Sequence, residues 1–398
     1  MAVVAAVTTF AATFAVRVLA RRFSIIVVPD ERRVHERPTP TVGGAAMFVG
    51  LLAAMATASQ LKGLRPVFRG SSEPIGLVVA ATVIFAVGMF DDLREMSPPA
   101  KMSGQVLSGT VLYFAGISML FFKVPLLGTT LSLSPALVAV MTVVWVVGMA
   151  NAVNFIDGLD GLAAGIVAIA SLAFFLYSHQ LVKIGTVTPE NSGPLIAVVV
   201  LGMCIGFLPH NFHPAKIFMG DAGAMLLGLL MAATTMSVVG QTGNGFSGRT
   251  YFFYAPIFIP FFILGIPMLD TAFAIVRRAG RRTGMATADK NHLHHRLMRL
   301  GHGQTRSVLI LWTWTALLSG LVLVPALTNH NSAFIPAAIL GLGVALYTLF
   351  TPRGRGGVAN RPGAADDDGA GGDGAGPADV KGAAPSGPAD LHGRSRVP

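Results

Sequence analysis

The chain has 398 residues, of which 53% are hydrophobic and only 12% charged, with a formal net charge of +10 and a mean hydropathy of +0.65. Soluble globular domains carry about 25% charged residues, so this composition excludes an ordinary water-soluble enzyme. The cations do not form the aromatic-interleaved stripe that nucleic acid requires, and one cysteine, Cys204, excludes a disulfide framework or a thiolate zinc cluster.

Forty-six glycines and 17 methionines suit close helix packing in lipid. The composition predicts an all-α polytopic integral membrane protein. A helix crossing the hydrocarbon core needs about 20 mostly apolar residues. Eleven such stretches follow along the chain, near 3–20, 44–60, 75–90, 102–121, 134–152, 161–178, 193–209, 222–240, 252–276, 307–327 and 333–350. No charged segment precedes the first, which reads as a retained helix rather than a cleaved signal peptide. Residues 1–350 form the expected transmembrane domain. Residues 351–398 are rich in Gly, Ala, Pro and Asp without an aromatic residue, and too little apolar surface predicts a disordered extension.

Eleven spans place the loops 21–43, 91–101, 210–220 and 277–306 on one side, together with the segment 151–160. Sixteen Lys and Arg fall there, against six opposite: Lys62, Arg65, Arg69, Lys123, Lys183 and Arg249. The positive-inside rule makes the first side cytoplasmic, with the N-terminus outside and the C-terminal tail inside. Of thirteen acidic residues before the tail, ten lie on that side, several at the mouths of spans. Carboxylates at membrane depth are costly and mark functional sites by default.

Five polar segments carry the chemistry. Val34 to Gly44 contains two prolines that stiffen a loop and a Gly43-Gly44 pair that exposes backbone N–H groups; alone it reads as a turn, with the others as the wall of a site. Asp91 and Asp92 end the third span. Two adjacent carboxylates repel and desolvate each other unless a cation or protons relieve them, so divalent metal or phosphate chemistry is favoured over capping of the next segment. In Asn151-Ala-Val-Asn154-Phe-Ile-Asp157-Gly-Leu-Asp160-Gly, the residues Asn154, Asp157 and Asp160 are spaced by three, which predicts one face of a helical turn. Such groups accept from sugar hydroxyls or a base N–H, or bind metal.

The segment from His210 to Gly223 places Asn211, Lys216 and Asp221 before an apolar helix. Asp221 suits a metal ligand or an N-cap, Lys216 a phosphate contact or topology, and His210 and His213 are read as interface residues. Finally, His292, His294, His295 and Arg296 lie in the most basic loop and suit a phosphate-rich anion better than zinc.

These segments, PTPTVGG, FDD, NFIDGLDG, PAKIFMGDAG and HLHHRL in this order, resemble the polyprenyl-phosphate N-acetylhexosamine-1-phosphate transferases over roughly residues 30–306. HLHHRLMRLGHG is more similar to the branch that uses UDP-GlcNAc than to the muramoyl-pentapeptide branch, which carries three consecutive histidines where this chain has Leu293 in the middle. The resemblance implies a reaction dependent on Mg²⁺ (Mn²⁺ as an alternative) at the cytoplasmic face of the plasma (inner) membrane. Polyprenyl phosphate, expected as decaprenyl phosphate from the composition of a GC-rich genome, would attack UDP-GlcNAc to give polyprenyl-diphospho-GlcNAc and UMP, the first lipid-linked step of cell-wall polysaccharide assembly.

Carried over by the resemblance, Asp91 and Asp92 match the catalytic aspartate pair. Asp221, with Asp92, matches the metal site. Asn154, Asp157, Asp160, Asn211, Lys101, His292, His294, His295 and Arg296 match substrate-binding positions. A homodimer is a further expectation from the resemblance, and nucleic acid is not an expected partner. The alternatives are the muramoyl-pentapeptide transferase of the same family and, from another class, an anion transporter; the latter would place its polar groups near the bilayer midplane.

Overall fold

The computed structural model describes residues 1–23, 39–123, 130–238 and 304–328, together with 341 and 343. The expected span at 252–276, the histidine segment, the tail and all but two residues of the span at 333–350 lie outside the described residues.

The described chain is helical: α1 (Ala2–Arg22), α2 (Gly44–Gln60), a 3₁₀ turn (Lys62–Leu64), α3 (Arg65–Phe68), α4 (Glu73–Leu93), α5 (Pro98–Phe114), α6 (Pro135–Ile156), α7 (Leu162–Lys183), α8 (Gly193–Asn211), α9 (Gly220–Val238) and α10 (Gln304–Thr328). Among the described residues, α1, α4, α6, α7, α8 and α9 are long and apolar enough to cross a membrane. A seventh candidate is α2 with the segment Lys62–Phe68, bent by 94°. The expected spans at 102–121 and 307–327 are helices, α5 and α10, but do not belong to those six.

Two details depart from expectation. The fourth expected span stops early, at Phe114. Gly116 takes a positive φ of 94°, and the N–H of Ile117 donates to Leu112 O while that of Gly116 donates to Tyr113 O, a pairing that closes a helix end. The chain then forms an antiparallel hairpin of β1 (Phe121–Lys123) and β2 (Thr130–Ser132), with Phe121 opposite Ser132. This is a small exception to an all-α chain.

Helix α9 is the axis of the bundle, buried from Ala222 to Val238 and contacted by α2, α4, α6, α7 and α8. Glycines set how closely these helices approach. A Cβ at Gly88 of α4 would stand 2.5 Å from Ala222 Cα, one at Gly228 of α9 2.5 Å from Ala150 Cα of α6, and one at Gly223 3.1 Å from Gly44 Cα. In lipid, where solvent exclusion does not press helices together, such close backbone packing carries much of the association. Outward-facing Val3, Val7, Phe14, Ile75, Val79, Val140 and Val144 remain exposed, as a surface solvated by acyl chains requires.

Candidate functional site

The acidic helix ends converge. Asp91 and Asp92 close α4, Lys101 sits in the first turn of α5, Asp157 terminates α6, and Asp221 stands in the first turn of α9. All belong to the same end of the bundle, because α4 and α6 run antiparallel to α5 and α9.

Lys101 joins the pieces. Its Nζ donates to Asp91 Oδ2 at 3.0 Å and pairs with Asp221 Oδ2. Asp91 Oδ1 accepts the N–H of Met96 at 2.7 Å, so one carboxylate folds the connection between α4 and α5 and aims the ammonium. The side chains of Lys101, Asp91 and Asp221 stay partly accessible, at 18%, 15% and 28%.

Asp92 acts on a different helix. Its Oδ1 accepts the N–H of Asp221 at 2.8 Å and its Oδ2 that of Ala222 at 3.0 Å. It therefore caps α9, whose unsatisfied N-terminal amides and dipole favour an anion. Gly220 makes this possible: its φ is +67°, and a Cβ there would come within 2.5 Å of Asp92 Oδ2. Capping, expected if at all for the segment that follows α4, is directed instead to a helix 129 residues downstream.

The expectation that Asn154, Asp157 and Asp160 share one helical face is corrected. Helix α6 ends at Ile156, Asp157 leaves helical geometry at φ −78°, ψ 49°, and the turn closes on Gly161 at φ +76°. Asn154 remains in the last turn of α6. Asp157 is pushed up to about 8, first by burial and then by the charges of Asp221, Asp92 and Asp160, so it belongs electrostatically to the acid cluster.

Asp160 turns away. It is 4% exposed, and its Oδ2 pairs with His213 Nδ1 at 2.8 Å and accepts the N–H of Ala215 at 3.0 Å. Asn211 is likewise built in, accepting from the N–H of Gly161 at 3.1 Å and donating to Ile217 O at 3.0 Å. Both fasten the α8–α9 connection to the start of α7. Of the two histidines read as interface residues, His210 packs on Phe10 of α1, ring centroids 4.6 Å apart, whereas His213 is exposed and pairs with Asp160. Lys216, within this connection, is exposed.

The Gly43-Gly44 pair does not leave its amides free, as the sequence suggested. They donate to Phe218 O at 2.9 Å and Met219 O at 2.8 Å, while Phe218 N–H donates to Pro40 O. The start of α2 and the segment before α9 meet through these backbone hydrogen bonds, which build the wall of the site. His292, His294, His295 and Arg296 lie outside the described residues.

One pair was missed. Gln105, 1% exposed on α5 one turn below Lys101, accepts from Asn151 Nδ2 of α6 at 2.7 Å. The signal was an amide in an apolar helix four residues after Lys101; the pair ties α5 to α6 beneath the acids.

Among the described residues no three His, Cys, Asp or Glu side chains form a preformed metal cage. Mg²⁺ does not need one, since one or two carboxylates with substrate phosphates and water complete its shell. The partly accessible Asp221 carboxylate fits that role. Asp92, whose two oxygens already accept backbone N–H groups, has only its remaining lone pairs to offer.

The profile of Glycosyl transferase family 4 matches residues 74–239, from the first turn of α4 through α9. The chain is similar to the decaprenyl-phosphate N-acetylglucosaminephosphotransferase of Mycobacterium tuberculosis, 38% identical over 362 residues and 88% of each chain. It is also similar to the enzyme of that name from Mycolicibacterium smegmatis, 39% identical over 325 residues and 79% of each chain. The phospho-N-acetylmuramoyl-pentapeptide-transferase of Mycobacterium leprae is 31% identical over 316 residues, covering 72% of this chain and 84% of its own. These likenesses run through the helices that bring Asp91, Asp92, Lys101, Asp157 and Asp221 together, and the chain belongs to the polyprenyl-phosphate N-acetylhexosamine-1-phosphate transferase family.

Proposed function

We propose that the protein transfers GlcNAc-1-phosphate from UDP-GlcNAc to polyprenyl phosphate, decaprenyl by preference, at the cytoplasmic face of a multi-pass membrane domain. The observation that carries this reading is the order of likeness: 38% identity across 88% of the chain to a GlcNAc-1-phosphate enzyme, against 31% across 72% to a pentapeptide one. The clustering of carboxylates at one end of the bundle supports it over an anion transporter, which would keep polar groups at mid-membrane.

A lipid phosphate oxygen attacks the β-phosphorus of UDP-GlcNAc. The new P–O bond forms as the bond from that phosphorus to the bridging oxygen breaks, and UMP leaves with the electron pair. Phosphoryl transfer depends mostly on positioning and charge neutralisation. The second pKa of a phosphate monoester is about 6, so the nucleophile is ionised near neutral pH. Asp91 then serves chiefly to aim Lys101 at the lipid phosphate. Exposed Phe90, Leu93, Met102 and Phe155 flank the acids on α4, α5 and α6 and suit the isoprenoid. Asp221, with Asp92 behind it, would hold a divalent cation, Mg²⁺ by preference, which neutralises the diphosphate when bound. Asn154 and Asp157 face the nucleotide from the end of α6, Asp160 and Asn211 fix the loop beside it, and His292, His294, His295 and Arg296 take the donor diphosphate.

The test is UMP release by purified protein with polyprenyl phosphate, comparing UDP-GlcNAc with UDP-MurNAc-pentapeptide. Turnover with UDP-GlcNAc, abolished by EDTA and reduced roughly 10²- to 10³-fold in Asp221→Ala and Lys101→Gln, is expected from the loss of one preorganised charge. Turnover with the pentapeptide donor alone would reassign the branch, and EDTA-resistant turnover would remove the metal.

A further inference from the structure

The end of the bundle opposite the carboxylates holds a second charged feature. Helix α2 runs about 25 Å from Gly44 to Gln60, at 1.5 Å per residue. At Leu61 the chain turns by 94° into Lys62–Phe68, which crosses the helix axes instead of extending them. Val67 is buried, and Leu64 and Phe68 pack against the core, so one side of this segment is anchored. Lys62, Arg65 and Arg69 are exposed. Together with Pro66, Gly70, Ser71 and Glu190 they line a cleft of about 620 Å³.

Topology does not explain these cations. The sequence assigns only six Lys and Arg to the loops of this side, and three of them stand within eight residues at one cleft. Among the described residues none of the three forms an ion pair. Unpaired cations held side by side repel one another, and an anion placed between them relieves that repulsion. Guanidinium forks match phosphate oxygens in shape as well as in charge, and the volume falls within the range of small-ligand sites.

We propose that this cleft binds the phosphodiester headgroup of an anionic phospholipid. Position selects a lipid: the segment lies across the bundle end, at the level where headgroups sit, and Leu61 (45% exposed) and Ile75 (72% exposed) stand beside it for acyl chains. Charge selects a diester: Glu190 in the lining repels a second negative charge, favouring a monoanion over a phosphate dianion.

The experiment uses the full-length protein in nanodiscs of phosphatidylcholine with increasing phosphatidylglycerol, reading phosphatidylglycerol retained per protein by native mass spectrometry. Removing three cations in Lys62→Gln/Arg65→Gln/Arg69→Gln is expected to lower retention roughly 10²-fold, while Glu190→Gln raises it. UMP release in pure phosphatidylcholine stays unchanged in both variants, reporting intact folding. Equal retention by wild type and the triple variant overturns the proposal, as does displacement of the lipid by millimolar inorganic phosphate. If the triple variant does not fold, Glu190→Gln decides: unchanged or reduced retention overturns the site.

Discussion

Lys101 answers two carboxylates at once, Asp91 and Asp221, while Asp92 is answered by the amides of α9. Asp157 is buried within reach of the charges of Asp221, Asp92 and Asp160, and in the metal-free protein it keeps its proton to about pH 8. The unfolded chain gives that proton up near pH 4. Between those values the folded state binds more protons, so stability falls as pH rises through the window and levels off above it. Melting curves in EDTA from pH 5 to pH 8.5 should therefore show wild type losing stability relative to Asp157→Asn as pH rises. Parallel curves for the two proteins would assign the pH dependence to another group.

At the scale of elements, the site is as precise as the packing of α4 and α6 on α9. Gly228 admits Ala150 of α6 at backbone distance, whereas Gly148 of the same helix α6 has nothing within 4 Å of its would-be Cβ. Gly228→Leu should cost about 1–3 kcal/mol by overpacking and lower UMP release with it, because α6 carries Asp157. Gly148→Ala should leave activity intact and raise the melting temperature slightly, since alanine is up to about 1 kcal/mol better than glycine in a helix. Equal effects at both positions would show that the α6–α9 approach does not set the site. The α8–α9 connection is held in the same spirit, by Asp160 on His213 and Ala215 and by Asn211 on Gly161 and Ile217.

For the whole molecule, the charge asymmetry between the two loop sets predicts sidedness. Cys204 is fully buried, so an impermeant maleimide finds no background thiol. Lys183→Cys, exposed at the end of α7, should label in intact cells. Glu95→Cys, exposed next to the acid cluster, should label only after permeabilisation. The reverse pattern would put the acid cluster outside and contradict the proposed cytoplasmic site.

The helices α1, α2, α4 and α6 through α9 fall within a few residues of the apolar stretches that announce them, because the length of an apolar run decides which segments leave water. Asp91, Asp92, Asp157 and Asp221 were visible for the same reason: a carboxylate beside such a run has few structural excuses. The hairpin after α5 and the early stop at Phe114 were not visible, since both depend on a left-handed glycine and local backbone pairing rather than on hydropathy. Nor was the separation of Asp157 from Asp160, which a turn at Gly161 sends to different partners. Composition and order along the chain thus point to a membrane protein, to seven of the expected spans among the described residues and to the set of chemically costly residues. Which amide meets which carboxylate, as when Asp92 caps a helix 129 residues away, is set by helices packing at glycine contacts, and that is a relation in space between segments that no periodicity within one of them encodes.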